Sequence, residues 1–314
     1  MSLNADEFEM LAREGATLPH VEPTEVVPQA LPPRRGTLDS AWRALKSAPV
    51  TAWFGLLVIL GYAILAIFAP LIAPYGQSAV VANQYEPWGG NYVFGTDQLG
   101  RDMLSRLIYG ARNTIGIAVV TTCLSFFIGG TLGLLASILG GWKDQLLGRA
   151  VDILMAIPQL IFALMLLSIV GSSITNLVLI IAVLDSTRVF RLTRAVAMNV
   201  VVLDFVEAAR LQGEKLLWIM TREILPNILP PLVAEFGLRF CFVFLTISAL
   251  SFLGLGIQPP TADWGSMVRE NATLINYGDV TPLLPAGAIA LLTVAVNFVV
   301  DWLLHKTSGL RDEH

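Results

Sequence analysis

The residues able to do chemistry in this chain are few, and their types suit recognition better than bond-making. Glu207-Ala208-Ala209-Arg210-Leu211-Gln212-Gly213, running on to Leu225-Pro226-Asn227, is a charged stretch between long apolar runs. Ala208 and Ala209 are strong helix formers whose small side chains let another protein surface come close. Glu207 and Arg210 offer that surface opposite charges. Gly213 supplies a tight turn or a close contact, because only glycine takes positive φ without penalty. Asp204 stands three residues before Glu207, a capping-box spacing that predicts a helix start, and a helix is expected over 204–220. Leu216, Leu217, Ile219 and Met220 are expected to lie back on the bundle as one apolar face. Pro226, Pro230 and Pro231 are expected to end the segment and restart the chain into the next apolar run. Such a set docks a protein; the bland alternative is an ordinary loop helix.

The other candidates are scattered. His20, His305 and His314 lie outside the apolar runs, and Cys123 and Cys241 lie far apart within them without CxxC spacing. No metal site is expected, and the cysteines read as small core residues. Glu235 and Arg239 are spaced i, i+4, and Asp185 and Arg188 i, i+3, so each pair can share a helix face. Charges inside a membrane are costly unless paired or snorkelling. Placed near helix ends, these four read as structural ion pairs close to a gate, with substrate binding the alternative, and no mid-span carboxylate of the kind a proton relay needs is expected. Thr121, Thr122, Ser125, Asn176, Thr246, Ser248 and Asn297 are candidates to line a polar substrate path. Thr121, Ser125, Gly129, Gly133, Ser137 and Gly141 recur every four residues. That ladder permits backbone-to-backbone packing, either within this chain or against a second subunit. The sequence contains no G-x-x-x-x-G-K-[ST] loop, so ATP binding of that kind is not expected of it.

Membrane helices must hold these residues in place. The 314 residues are 55% hydrophobic and 14% charged, against roughly 25% charged in an average soluble domain. Runs long enough to cross a bilayer cover 53–73, 115–139, 234–256 and 283–300. The stretch 153–184 is uncharged and, at about 1.5 Å per residue, longer than one crossing needs. It is either one tilted helix or two joined at Gly171-Ser172-Ser173. Two helices make six spans with both termini in the cytoplasm. Only Arg101, Arg106, Arg112 and Arg269 then lie outside, against 15 Lys and Arg inside. A single helix would put 8 inside and 11 outside, so the positive-inside rule selects six. Residues 1–48 are rich in Pro and Glu and read as a disordered cytoplasmic tail, with a short amphipathic lead-in over 38–46. No cleavable signal peptide is visible.

Outside the membrane, Gly95-Thr96-Asp97-Gln98-Leu99-Gly100-Arg101-Asp102 precedes an apolar stripe of Met103, Leu104, Leu107, Ile108 and Ala111. Arg101, Ser105, Arg106 and Arg112 stand off that stripe, which predicts an interfacial amphipathic helix feeding the second span. The loop 257–282, with Pro259-Pro260 and Asp263-Trp264-Gly265, is expected to be an ordered hairpin or short helix over the outer mouth.

The order Glu-Ala-Ala, three residues, Gly, then Leu-Pro resembles the coupling signature of permease subunits of bacterial ABC importers. Glu207, Ala208, Ala209, Gly213, Leu225 and Pro226 stand at its positions, with Gln212, Glu214 and Glu223 departing from the usual residues. The Gly-Thr-Asp-x-x-Gly-Arg-Asp motif narrows the resemblance to the C-type subunit of the oligopeptide, dipeptide and nickel group, over residues 53–311. The resemblance implies an all-α, six-helix membrane bundle of the type I ABC importer permease fold. It divides the chain into the tail 1–48, a first helix with outer segment and interfacial helix at 49–113, and a core permease domain at 114–314. A coupling helix at 204–220 would dock into separate ATPases. It also implies a heterodimer with a second permease subunit, two ATP-binding subunits carrying the ATP and Mg, and an extracytoplasmic binding protein. Besides these, the chain would contact membrane lipid and no nucleic acid, with no cofactor or catalytic site of its own. Peptides are the expected solute, and nickel chelates, glutathione and opine-like compounds the alternatives. An ion-gradient transporter would show inverted repeats and midplane ionisable residues; a membrane enzyme would show facing His, Asp or Glu. Neither pattern is evident in the sequence.

Overall fold

The computed structural model describes residues 48–307. The calls on the tail 1–47 and on 308–314 lie outside the described residues. Among these residues nine main helices follow one another. They are α1 (Val50–Ile67), α2 (Met103–Leu139), α3 (Gly141–Met155), α4 (Gln159–Val170), α5 (Ile174–Val201), α6 (Asp204–Leu211), α7 (Leu225–Phe252), α8 (Trp264–Asn271) and α9 (Leu283–Thr307). Among the described residues there is no strand, only two isolated bridges, Val80 with Arg101 and Thr96 with Asp102. The all-α class is as expected.

Among the described residues four helices are long and apolar enough to cross a membrane: α1, α2, the stretch Leu216–Phe252 that includes α7, and Leu283–Lys306 within α9. The uncharged stretch 153–184 divides at the expected place. Gly171 takes φ 94°, and Ser173 caps α5 by accepting from the Asn176 amide at 3.2 Å. A second break was not foreseen. Between α3 and α4 the chain bends by 84° at Ala156–Pro158, and only together are the two apolar and long enough for a membrane segment, as a broken span or a re-entrant loop. Pro158 has no amide hydrogen to continue the first helix, which explains where it stops.

Helix α2 shows no seam between its amphipathic start and its apolar body. It is a single helix of 37 residues, capped where Asp102 accepts from the Ser105 amide at 2.8 Å. The small-residue ladder packs inside this chain. A side chain at Gly129 would meet the Phe190 amide at 2.9 Å, and one at Gly133 would meet Thr193 Cβ at 2.9 Å. Both neighbours are on α5, so α2 and α5 touch backbone to backbone. Thr121 and Ser125 are buried on the same face, whereas Gly141 at the end of the ladder is exposed.

The outer half of the core gathers around Trp264, which is 1% exposed. Its ring lies against the bare backbone of Gly110, where a Cβ would stand 2.6 Å from Cδ1, and its Nε1 donates to the Leu107 carbonyl at 2.9 Å. Tyr62 and Phe244 meet the ring edge-on at 5.4 and 6.2 Å. Tyr62 in turn donates to the Ala288 carbonyl, which joins α1 to α9. Cys241 is buried as expected, but Cys123 is exposed on α2 and is not a core residue.

Candidate functional site

One end of the bundle carries the charged stretch, and its geometry differs from the expected single helix over 204–220. Helix α6 ends at Leu211, Gly213 turns the chain with φ 81°, and a short helix at Leu216–Trp218 runs into a π-helical turn, Ile219–Ile224. Asp204 is the first residue of α6 and not its cap; Leu203 holds that position with no side-chain bond. Asp204 and Glu207 instead place negative charge in the first turn, and Arg210 places positive charge in the last, each matching the helix dipole. Pro226, Pro230 and Pro231 do not end the segment, because α7 runs through all three. Pro226 falls in its first turn, where an amide hydrogen is not needed.

Helix α6 has two faces. Val206 and Ala209 are buried, in one cluster with Leu134, Ala197, Met220, Ile224 and Ile228, and they fix the helix to α2, α5 and α7. Glu207, Ala208 and Arg210 face outward. Ala209 packs inward against its own bundle instead of lying on the outward face with Ala208. Gly213 has nothing within 4 Å of where a Cβ would stand, so within this chain it serves the turn and no close approach. Ile219 and Met220 are buried as expected, but Leu216, Leu217 and Trp218 are exposed. Together with Phe205 and the 84% exposed Leu211 they surround the charged residues with apolar surface. Exposed apolar residues grouped in this way mark an interaction site. Leu225 is half-buried and lines an apolar cavity of about 410 Å³ between α2, α5 and α7, while Pro226 is exposed.

In the interior, α2, α5 and α7 bring four charged or polar groups together. Arg239 Nε lies 2.8 Å from Glu235 Oε1, the expected i, i+4 pair, and its Nη1 lies 3.7 Å from Asp185 Oδ1. Ser125 donates to Asp185 Oδ2 at 2.9 Å. The expected pairing of Asp185 with Arg188 is not formed: Asp185 points toward Arg239 on α7, and Arg188 is exposed. Nor are these residues at helix ends. Asp185 is the twelfth residue of the 28 in α5, and Arg239 the fifteenth of the 28 in α7. Sequence reasoning missed this because the helices extend beyond the apolar runs used to bound them.

The residues expected to line a path are dispersed. Thr121, Thr122 and Ser125 are fully buried between helices, with Thr121 and Thr122 donating to the carbonyls one turn back, and Ser248 is 6% exposed. These buried hydroxyls do not face an open path within this chain. Asn176 donates to the Val170 and Gly171 carbonyls and so ties the turn between α4 and α5. Thr246 and Asn297 are half-buried and bond back to their own helices.

The opposite end of the bundle holds a second constellation that the sequence reading placed only as an amphipathic stripe. Asp97 accepts from Arg101 Nε at 2.6 Å and lies 3.3 Å from Arg106 Nε. Glu270 on α8 accepts from both guanidinium groups at 3.1 Å. All four side chains are nearly inaccessible, so Arg106 is an interior residue and not an interfacial one. The two acids and two arginines balance, as a buried ionic group must. Gly95 and Gly100, with φ of 68° and 73°, bring the outer segment so close that a side chain at either would run into the backbone of Glu86 or Ala82. Asp263 caps α8 by accepting from the Ser266 amide, and Thr114 on α2 donates to it at 2.9 Å. Burial pushes its carboxyl above the usual carboxylate range. The signal was present in Asp97, Arg101 and Arg106; its partner Glu270 lies 164 residues beyond Arg106.

Comparisons with known proteins agree with this architecture. Residues 129–306 match the family described as binding-protein-dependent transport system inner membrane component. Residues 37–87 match the N-terminal TM domain of oligopeptide transport permease C, which begins ahead of residue 53, where the resemblance was expected to start. The chain is 37% identical over 265 residues to the di/tripeptide transport system permease protein DppC of Pseudomonas aeruginosa, covering 82% of this chain and 85% of the relative. With the dipeptide transport system permease protein DppC of Alkalihalophilus pseudofirmus the identity is 33% over 290 residues, 91% of this chain and 93% of the relative. The glutathione transport system permease protein GsiD of Pectobacterium atrosepticum is 33% identical over 278 residues, 86% of this chain and 88% of the relative. The chain belongs to the binding-protein-dependent inner membrane component family: it is a multi-pass ABC importer permease of the inner membrane, a subunit of a system that also has an ATPase and a substrate-binding protein.

Proposed function

We propose that this chain is one permease half of an ATP-driven importer of short peptides, paired with a second, homologous permease subunit and served by two ATP-binding subunits. The observation that carries the proposal is α6. It is anchored to the bundle by Val206 and Ala209 and presents Glu207, Ala208 and Arg210 outward among exposed apolar residues. Six spans with both termini cytoplasmic follow from the distribution of Lys and Arg. That count takes α3 with α4 as one broken crossing and α5 as another, and it puts α6 on the ATP side. ATP and Mg belong to the partners. When the ATPases close, they push on α6, and α2, α5 and α7 move with it because the same apolar cluster joins them. The bundle then opens outward, takes the solute from the binding protein, and returns inward-facing after hydrolysis.

Peptide is the favoured solute because the dipeptide permeases span most of this chain at 33–37% identity. The glutathione permease relative supports a second reading, a thiol tripeptide. The complex reconstituted in proteoliposomes with its binding protein should accumulate a labelled dipeptide only when ATP is present. Glu207→Lys should abolish substrate-stimulated ATP hydrolysis while the complex still purifies intact. Normal stimulation in that variant would sink the coupling role of α6, and accumulation without ATP would revive an ion-gradient mechanism.

A further inference from the structure

Arg188 is a charged group at membrane depth with no acceptor among the described residues. It lies fourteen residues beyond Ile174, the start of α5, which at 1.5 Å per residue is about 21 Å along the helix. A hydrocarbon core is about 30 Å thick. Two arginines further along α5 are provided for: Arg191 Nη1 contacts Met155 Sδ at 3.7 Å, and Arg194 pairs with Asp144 on α3. Among the described residues Arg188 makes no hydrogen bond or ion pair, although it is exposed. A guanidinium carries five donors and accepts nothing. Facing lipid at this depth would be costly, so such a residue faces a water-filled cavity or a partner.

The structure gives it a cavity. The 84° break between α3 and α4 opens a pocket of about 100 Å³ whose lining includes Met155, Pro158, Gln159, Leu184, Thr187 and Arg188. The Thr187 hydroxyl is already used by the Leu184 carbonyl, which leaves Arg188 and the Gln159 amide to meet an occupant. The volume suits a group of a few heavy atoms. Asp185 and Glu235 lie within electrostatic range of Arg188, but both are directed at Arg239. With Arg239 facing those two acids, Arg188 is the guanidinium left to face the pocket. The guanidinium fork matches a carboxylate.

We propose that this pocket receives the terminal carboxylate of the solute in transit, with Arg188 as its charged donor and Gln159 as a neutral one. The proposal rests on the peptide reading above. It also accounts for the second break in the chain: an unbroken helix would not leave this opening opposite α5.

The test uses the complete complex in proteoliposomes, with a dipeptide and its C-terminal amide supplied in turn at concentrations that saturate the binding protein. Wild type should take up the acid at least tenfold faster than the amide. In Arg188→Ala the acid should slow until the ratio approaches one, with amide uptake unchanged, and Arg188→Lys should lie between. Size-exclusion of the purified variants checks that all subunits remain assembled. Equal slowing of both probes, or loss of the second permease from Arg188→Ala, would mean that Arg188 serves assembly and would overturn the proposal. Wild type that accumulates neither probe would refute the peptide reading itself, and this site with it. Wild-type uptake with an unchanged ratio in Arg188→Ala would refute the site alone.

Discussion

Gly213 offers a way to separate a turn from a contact. Its φ is 81°, and nothing stands within 4 Å of where a Cβ would be. Substitution therefore meets a backbone penalty and no steric one within this chain. For an ordinary L-residue the left-handed region costs about 1–2 kcal/mol, and asparagine visits it more readily. At about 1.4 kcal/mol per factor of ten, Gly213→Ala should depopulate the native turn by about five- to thirtyfold, whereas Gly213→Asn should lose much less. Gly213→Val should be worst, because a β-branched residue at positive φ is a true outlier. Substrate-stimulated ATP hydrolysis of the assembled complex reads the result, with purification yield as the check on folding. The expected order is Gly, Asn, Ala, Val. If Asn is as inactive as Val, side-chain size rather than φ decides the outcome. Gly213 would then touch the ATPase directly, and the reasoning from the turn would be wrong.

Three other perturbations test the architecture. Gly129→Ala forces a Cβ against Ser186 and Phe190 on α5, and overpacking of this kind costs about 1–3 kcal/mol. Gly130→Ala, with open space around it, should be harmless, and thermal unfolding of the two variants in detergent compares them. Trp264→Ala removes the ring against Gly110 together with the bond to Leu107, a loss of about 3–5 kcal/mol. It should make the segment 254–282 sensitive to limited proteolysis at protease levels that leave wild type intact. Glu270→Gln leaves Arg101 and Arg106 sharing Asp97 alone, and breaking a buried pair costs about 3–5 kcal/mol. Adding Arg106→Met to Glu270→Gln should recover part of that loss; if the double variant is less stable than the single, the four charges do not act as one network.

What could be read from the sequence depended on how far apart the cooperating residues lie. Local signals held: the Gly171–Ser173 break, the positive φ of Gly213 and the Glu235–Arg239 spacing all depend on neighbours within a turn or two. The internal use of the small-residue ladder was open until α5 supplied Phe190 and Thr193 as its partners. Pairings across the chain were not legible. Arg106 was placed off an apolar stripe because a helix wheel shows only one helix, while its acid Glu270 comes from α8. Asp185 was paired with the nearest arginine in sequence, yet α7 brings Arg239 closer. Proline rules misled as well: Pro230 and Pro231 sit inside α7, in a membrane bundle where neighbouring groups tolerate them.

The charged groups at the two ends of the bundle are held in different ways. The outer network is buried, balanced and fastened to glycine turns, so α2 and α8 are joined by groups that lose heavily if pulled apart. At the inner end the arrangement is different. Helix α6 is held by an apolar cluster, which is non-directional and tolerates sliding, and its ionic groups face out. Between the two lies the Ser125–Asp185–Arg239 contact, whose 3.7 Å ion pair leaves Asp185 Oδ1 and Arg239 Nη1 without a hydrogen bond. A contact of that length between α5 and α7 has room to tighten, unlike the outer one. Force applied at α6 would then be taken up first where α5 meets α7, beside the Arg188 pocket, while the outer end moves as one piece. Asp185→Asn keeps the Ser125 bond and removes the charge. It should leave the outer segment as stable as in wild type and should slow transport. An Asp185→Asn complex that instead loses its outer segment to protease would show that the two ends are not mechanically separate.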